Sequence, residues 1–171
     1  MDDPGESLVG SYLHYIGKCQ LVLHNTFTPE EQGELDVIGI RTNGAEQLAW
    51  FCEVTTHIRG LQYGGFDRTV SKIRDKILRA RKFAEKTFPD HKHRYEIWSP
   101  VVPVGRLTIA FAEMEENFTS SELNVKFVIN DLYSERVVEL IEHARGNPSA
   151  TSEPAYRMLQ ILTRLRGAWR L

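Results

Sequence analysis

Cysteine is scarce: the 171 residues contain only Cys19 and Cys52, each inside an apolar segment and neither with a Cys or His at zinc-finger spacing. This argues against a disulfide framework or a structural zinc site and predicts two buried, reduced thiols. Long hydrophobic runs are missing too. The longest, around Leu107–Ala112 and Leu48–Cys52, fall far short of the roughly 20 residues a membrane helix needs, so no membrane span or membrane partner is expected. The N-terminal Met1-Asp2-Asp3-Pro4-Gly5-Glu6 is acidic and lacks the basic-then-apolar order of a signal peptide, which predicts a cytoplasmic protein. Neither sign of charge dominates: 21 Lys/Arg stand against 23 Asp/Glu, a formal net charge of −2, so bulk charge makes no case for nucleic acid or membrane. Repeats, low-complexity tracts and Pro/Gly/Ser linkers are absent.

What is present is the composition of a folded domain. Hydrophobic residues make up 42% and charged residues 26%, which excludes a mostly disordered chain. The length fits one domain, 1–171, with a core over about residues 6–99 and a C-terminal strand and helices over 105–169. Helical spacing of Leu8, Val9, Tyr12, Leu13 and Ile16 predicts a helix over Glu6–Ile16. Strands are expected at Cys19–His24, Glu34–Arg41 and Gln47–Thr56. A turn over Thr28–Gly33 joins the first two and an Asn43-Gly44 hairpin the last two. A glycine-rich stretch, Arg59–Phe66, precedes a long helix over Asp67–Phe88 with apolar stripe Val70, Ile73, Ile77, Ala80 and Ala84. A strand at Tyr95–Ser99 ends before Pro100 and Pro103. Leu107–Asn117 leans to helix through Ala110, Ala112 and Met114. A strand at Asn124–Asn130 and helices at Asp131–Ala144 and Glu153–Arg166, separated by Gly146-Asn147-Pro148, close the chain. The expected fold is α/β, a mixed central sheet flanked by helices.

Two carboxylates interrupt apolar strands. Asp36 stands before Val37-Ile38, and Glu53 stands between Cys52 and Val54. Strict alternation would point Glu34, Asp36 and Ile38 one way and set Phe51, Glu53, Thr55 and His57 on one face of the third strand. Burying an isolated carboxylate costs several kcal/mol unless it is paired or binds a cation. Two of them on neighbouring strands point to a hard divalent metal, Mg²⁺ or Mn²⁺. The charge is also uneven: from Asp67 to Lys86 eight Lys/Arg face three Asp/Glu.

Gly33-Glu34-Leu35-Asp36-Val37-Ile38-Gly39 followed by Trp50-Phe51-Cys52-Glu53-Val54-Thr55 resembles the core of the PD-(D/E)xK nuclease superfamily, the restriction-endonuclease-like fold. The resemblance covers roughly residues 6–99 and implies an αβββαβ core. It implies Asp36, Glu53 and the Val54 carbonyl as metal ligands, and Glu6 in the first helix near the metal. The position of the family's lysine is Thr55, which offers a hydroxyl and no charge. Some members carry that lysine on the next helix, where Lys72 and Lys76 stand. The implied activity is metal-assisted phosphodiester hydrolysis on DNA, with RNA not excluded, and with Glu34 or Glu6 holding a water or a second metal. The alternatives are a descendant of the fold that binds nucleic acid or a protein partner without cutting, and an unrelated α/β interaction protein.

The basic stripe Arg68, Lys72, Lys76, Arg79 and Lys86 is the candidate contact with the phosphate backbone, and Gln62 and Tyr63 candidate contacts with a strand. His57 shares the candidate face, though a structural histidine is the commoner role. His91 and His93 flank Lys92 at a spacing that says little about metal. The apolar positions Met158, Leu159, Ile161, Leu162 and Leu165 fit either a homodimer contact or a helix lying on its own core. A chain this short also fits one subunit of a larger system.

Overall fold

Five runs of β-favouring residues pair into one sheet, and the helical runs between and around them cover its two faces. The computed structural model of the chain describes residues 3–28 and 33–165. In chain order the elements are α1 (Pro4–Tyr15), β1 (Leu21–Phe27), β2 (Glu34–Asn43), β3 (Glu46–Val54), α2 (Phe66–Thr87), β4 (Lys92–Ser99), α3 (Arg106–Ser120), β5 (Val125–Ile129), α4 (Asn130–Gly146) and α5 (Pro154–Leu162). The sheet order is β1-β2-β3-β4-β5. β1, β2 and β3 run antiparallel, while β4 and β5 continue parallel to β3. The fold is therefore α/β with a mixed sheet, as composition and patterning predict.

The antiparallel half needs only a tight turn. Asn43 pairs with Glu46, so Gly44 and Ala45 form the connection, and Gly44 takes φ +59°, a conformation that glycine adopts without steric cost. The parallel half needs crossovers, which α2 and α3 provide on one face. Thr69, Ile73, Ile77, Ala80 and Ala84 recur at helical spacing and are buried on α2. They meet Phe51, Tyr95, Ile97 and Phe127 of the sheet and Phe111 and Met114 of α3. The opposite face is covered by α1, α4 and α5. Its core joins Val9, Tyr12 and Leu13 to Trp50, Cys52, Trp98, Leu140 and Tyr156. Both cysteines are buried and free, and burial raises both thiol pKa values, Cys19 to about 11.

Several boundaries differ from the sequence reading for local reasons. α1 starts earlier than Glu6: Asp3 Oδ1 accepts from the Gly5 N–H at 2.8 Å and Pro4 occupies the first turn, where a missing N–H is harmless. β1 is shifted to Leu21–Phe27, its polar Asn25 and Thr26 being strand residues at a sheet edge. β3 ends at Val54, so Thr55, Thr56 and His57 lie in the following loop. β4 begins at Lys92. The ambiguous 107–117 stretch is the helix α3. α5 ends at Leu162, short of the expected end at Arg166, which lies outside the described residues, as do positions 29–32 of the expected turn. Tyr156 of α5 is buried and Leu159 packs beside it on the core, whereas Met158 and Ile161 are exposed. Among the described residues no helix is long and apolar enough to cross a membrane.

Candidate active site

The site begins with a break in β2. Pairing with β3 stops at Val37–Cys52, and opposite Asp36 on β1 stands Asn25 in the left-handed region, φ +49°. Leu35 and Ile38 then pack in the same core, beneath α2, while Val37 packs on the other face. Strict alternation, which would set Glu34, Asp36 and Ile38 on one face, therefore fails at Asp36. Freed from the ladder, Asp36 turns its carboxylate toward β3, where Oδ2 accepts the Val54 N–H at 2.7 Å. The next N–H, of Thr55, points the other way to the Trp98 carbonyl at 2.9 Å. On an extended strand a residue's carbonyl points to the same side as its own N–H, so the Val54 carbonyl faces β2 beside Asp36.

Glu53 stands on the α2 face, 3% exposed. Burial raises its carboxyl pKa to about 7, and the nearby Asp36 pushes in the same direction, against Lys76 and Arg79, which favour the ionised form. α2 delivers those two cations. Lys76 Nζ lies 2.5 Å from Glu53 Oε2 and 3.7 Å from Asp36 Oδ2. Its own pKa is raised, the two carboxylates outweighing its burial. Arg79 Nη2 lies 3.4 Å from Glu53 Oε1 and donates to the Glu34 carbonyl at 3.0 Å. Gly33 leaves the space the guanidinium occupies, since a β-carbon there would collide with it.

The ammonium that meets both carboxylates therefore comes from α2, at Lys76, and not from position 55, which is a threonine. Thr55 is buried, and its hydroxyl shares a hydrogen bond with the Tyr63 phenol at 3.1 Å. Tyr63 is held from behind, where its N–H donates to Thr69 Oγ1 at 2.9 Å, and the Lys72 ammonium sits 4.0 Å over its ring. Tyr63 and Lys72 therefore form the outer wall of the site. One face of the Tyr63 ring is covered by Lys72. Lys72 does not reach the carboxylates as Lys76 does.

The remaining candidates spread out. Glu6 is half-buried on the first turn of α1, which abuts Val54 and Thr56 so closely that Gly5 has no room for a β-carbon. Arg68, Lys72 and Lys86 are exposed along α2, whereas Lys76 and Arg79 turn inward. Gln62 is exposed on the loop before α2. His57 is exposed in that loop, its ring 5.8 Å from the Tyr63 ring, so it shares no strand face with Glu53. His93 bonds the Phe88 carbonyl at 2.8 Å and His91 packs on the Phe88 ring; neither lies with the carboxylates. Asn25 and Thr69 were not foreseen, although Thr69 carries a signal: it falls one turn before the Ile73-Ile77 stripe.

Among the described residues no three or more His, Cys, Asp or Glu side chains cluster as a metal site. The donors present, two carboxylates and one strand carbonyl, nevertheless fit Mg²⁺ or Mn²⁺, which keep several waters and need only one or two carboxylates. They do not fit a structural Zn²⁺, which takes four protein ligands. The Lys76 ammonium, in contact with both acids, marks the position as one that attracts a cation. No protein-family model matches the chain, and neither the curated proteins nor the solved structures contain a match.

Proposed function

We propose that the chain is a metal-dependent nuclease that hydrolyses phosphodiester bonds of DNA. The observation that carries this reading is Lys76, whose ammonium meets Asp36 and Glu53 together from a neighbouring helix. Lys76 stands with the two acids where the resemblance calls for a lysine that position 55 lacks, which supports the reading. The order α1-β1-β2-β3-α2-β4 is also the one the sequence resemblance implies.

Asp36, Glu53 and the Val54 carbonyl would hold Mg²⁺ or Mn²⁺, which when bound lowers the pKa of a coordinated water and polarises a phosphate oxygen. Glu53 must be ionised to serve, and Lys76 and Arg79 favour that form. Displaced from the carboxylates, Lys76 keeps its charge on a flexible stem and offsets the negative charge that builds on the phosphate. Thr55, fixed by Tyr63, offers a hydroxyl to a water. Arg68, Lys72 and Lys86 give α2 an exposed basic edge for backbone phosphates, a contact without sequence information.

The test is cleavage of supercoiled, linear and single-stranded DNA in Mg²⁺ or Mn²⁺, beside Asp36→Ala, Glu53→Ala and Lys76→Ala. Cutting that needs metal and is lost in all three supports the reading; no cutting by the wild type overturns it. A second reading is a non-cutting protein of the same fold that binds nucleic acid or a protein partner. It is favoured by the closed ion pairs of Glu53, which satisfy the acids without a metal. DNA binding without cleavage is its signature.

A further inference from the structure

The nuclease site uses one side of the loop between β3 and α2 and leaves the other side unused. There a groove of about 330 Å³ opens between this loop and the one that follows β4, lined by Leu61, Gln62, Phe66, Pro103, Val104 and Arg106 among others. Its walls are fixed. The Leu61 N–H donates to the Val101 carbonyl at 2.9 Å. Asn130 clamps Val102 from both sides, accepting its N–H at 2.8 Å and donating to its carbonyl at 3.0 Å. On these pinned loops Val104 is 90% exposed and Ile58 is 79% exposed. The Arg106 guanidinium lies 4.4 Å over the Phe66 ring. Over residues 55–72 and 100–107, Arg59, Arg68, Lys72 and Arg106 stand against Asp67 alone, in a chain whose net charge is −2.

We propose that this groove receives an unpaired base beside the scissile phosphate, so that the substrate is DNA with single-stranded nucleotides next to the cut. The inference rests on the nuclease reading and adds its substrate class. A base is a flat apolar plate with a polar edge. The guanidinium-on-ring stack and Val104 offer surfaces to the plate, and the Gln62 amide offers both a donor and an acceptor to the edge. The basic rim matches the phosphates on either side. Gln62 and Tyr63 are consecutive, one lining the groove and the other bonded to Thr55, so the groove adjoins the site through a single loop. A base locked in a duplex would first have to be unstacked at a cost, whereas an unpaired one enters freely.

The test is fluorescence anisotropy in EDTA, where binding is read without cutting, using a blunt duplex, a single strand and a forked duplex of one sequence. Expected is tighter binding of fork and single strand than of duplex by the wild type. Val104→Ser, Gln62→Ala and Arg106→Lys, exposed positions with net charge kept, should weaken fork binding by about tenfold while duplex binding stays nearly unchanged. Arg81→Ala, on the exposed part of α2 beside Glu85, serves as the control for loss of a remote charge. Equal weakening on fork and duplex, or no weakening on either, overturns the proposal. A wild type that binds and cuts duplex as well as fork keeps the nuclease reading and defeats the groove; one that binds and cuts no DNA defeats both.

Discussion

Glu53 on β3 and Glu96 on β4 are both buried, 3% and 0% exposed, and their strands are hydrogen-bonded neighbours. They face opposite sides of the sheet and keep different company. The partners of Glu96 come from its own strand, two residues either way: Trp98 Nε1 donates to Oε2 at 2.9 Å, and Arg94 Nε lies 2.9 Å from Oε1. They close over it within the core under α1 and α4. The partners of Glu53 come from another element, α2, and its neighbour Asp36 reaches it only because β2 leaves the ladder. Asp36 and Lys76 also keep some contact with water, at 15% and 17% side-chain exposure. A buried acid held by its own strand fixes a core; one held by separate elements at a partly open edge ties those elements together.

The largest expected effect divides the two acids by activity. Glu53→Gln should lower DNA cleavage by about 10³-fold, measured as initial rate in Mg²⁺, while Glu96→Gln leaves the rate per folded molecule unchanged. Loss with both would erase the distinction. Glu96→Gln breaks a buried ion pair all the same, and should cost about 4 kcal/mol in urea unfolding.

Next comes pH. Burial holds the Glu53 carboxyl near 7 against an ordinary 4.5, so between those values the native chain binds more protons than the unfolded chain and stability falls as pH rises. Glu53→Gln lacks that proton. In metal-free buffer the variant should therefore gain on the wild type by about 3 kcal/mol as pH rises through this window. A constant difference would mean that the Glu53 pKa is the same in the native and unfolded chains. The smallest effect is ionic: Arg68→Ala or Lys86→Ala should each reduce the slope of log affinity against log salt by about 1 for duplex DNA.

Comparing Glu53 with Glu96 also shows how far the sequence reaches. A carboxylate in an apolar strand flags Asp36 and Glu53, yet Tyr95-Glu96-Ile97-Trp98 carries the same pattern. The distinguishing mark, Arg94 and Trp98 at two-residue spacing on the same face, is readable only once the strand is known to start at Lys92. Helical spacing places Lys72 and Lys76 beside the apolar stripe of α2, but which of them reaches the acids shows only in the fold, where Lys76 meets both and Lys72 lies over the Tyr63 ring. Alternation failed at Asp36 because it assumes an unbroken ladder. The groove was beyond the sequence altogether, since Gln62 and Val104 meet only through the parallel pairing of β3 and β4.

The mixed sheet has a consequence for the order of folding. β1, β2 and β3 are joined in sequence by short connections and close quickly, whereas β4 and β5 must wait for α2 and α3 to cross over. Asp36 and Glu53 belong to the early half, Lys76 and Arg79 to the late one. An intermediate with only the first three strands formed would hold two facing acids with no cation between them. Their repulsion opposes the pairing of β2 with β3. The arrival of α2, which brings Lys76 and Arg79 to the two acids, should therefore be the event that makes this pairing stable.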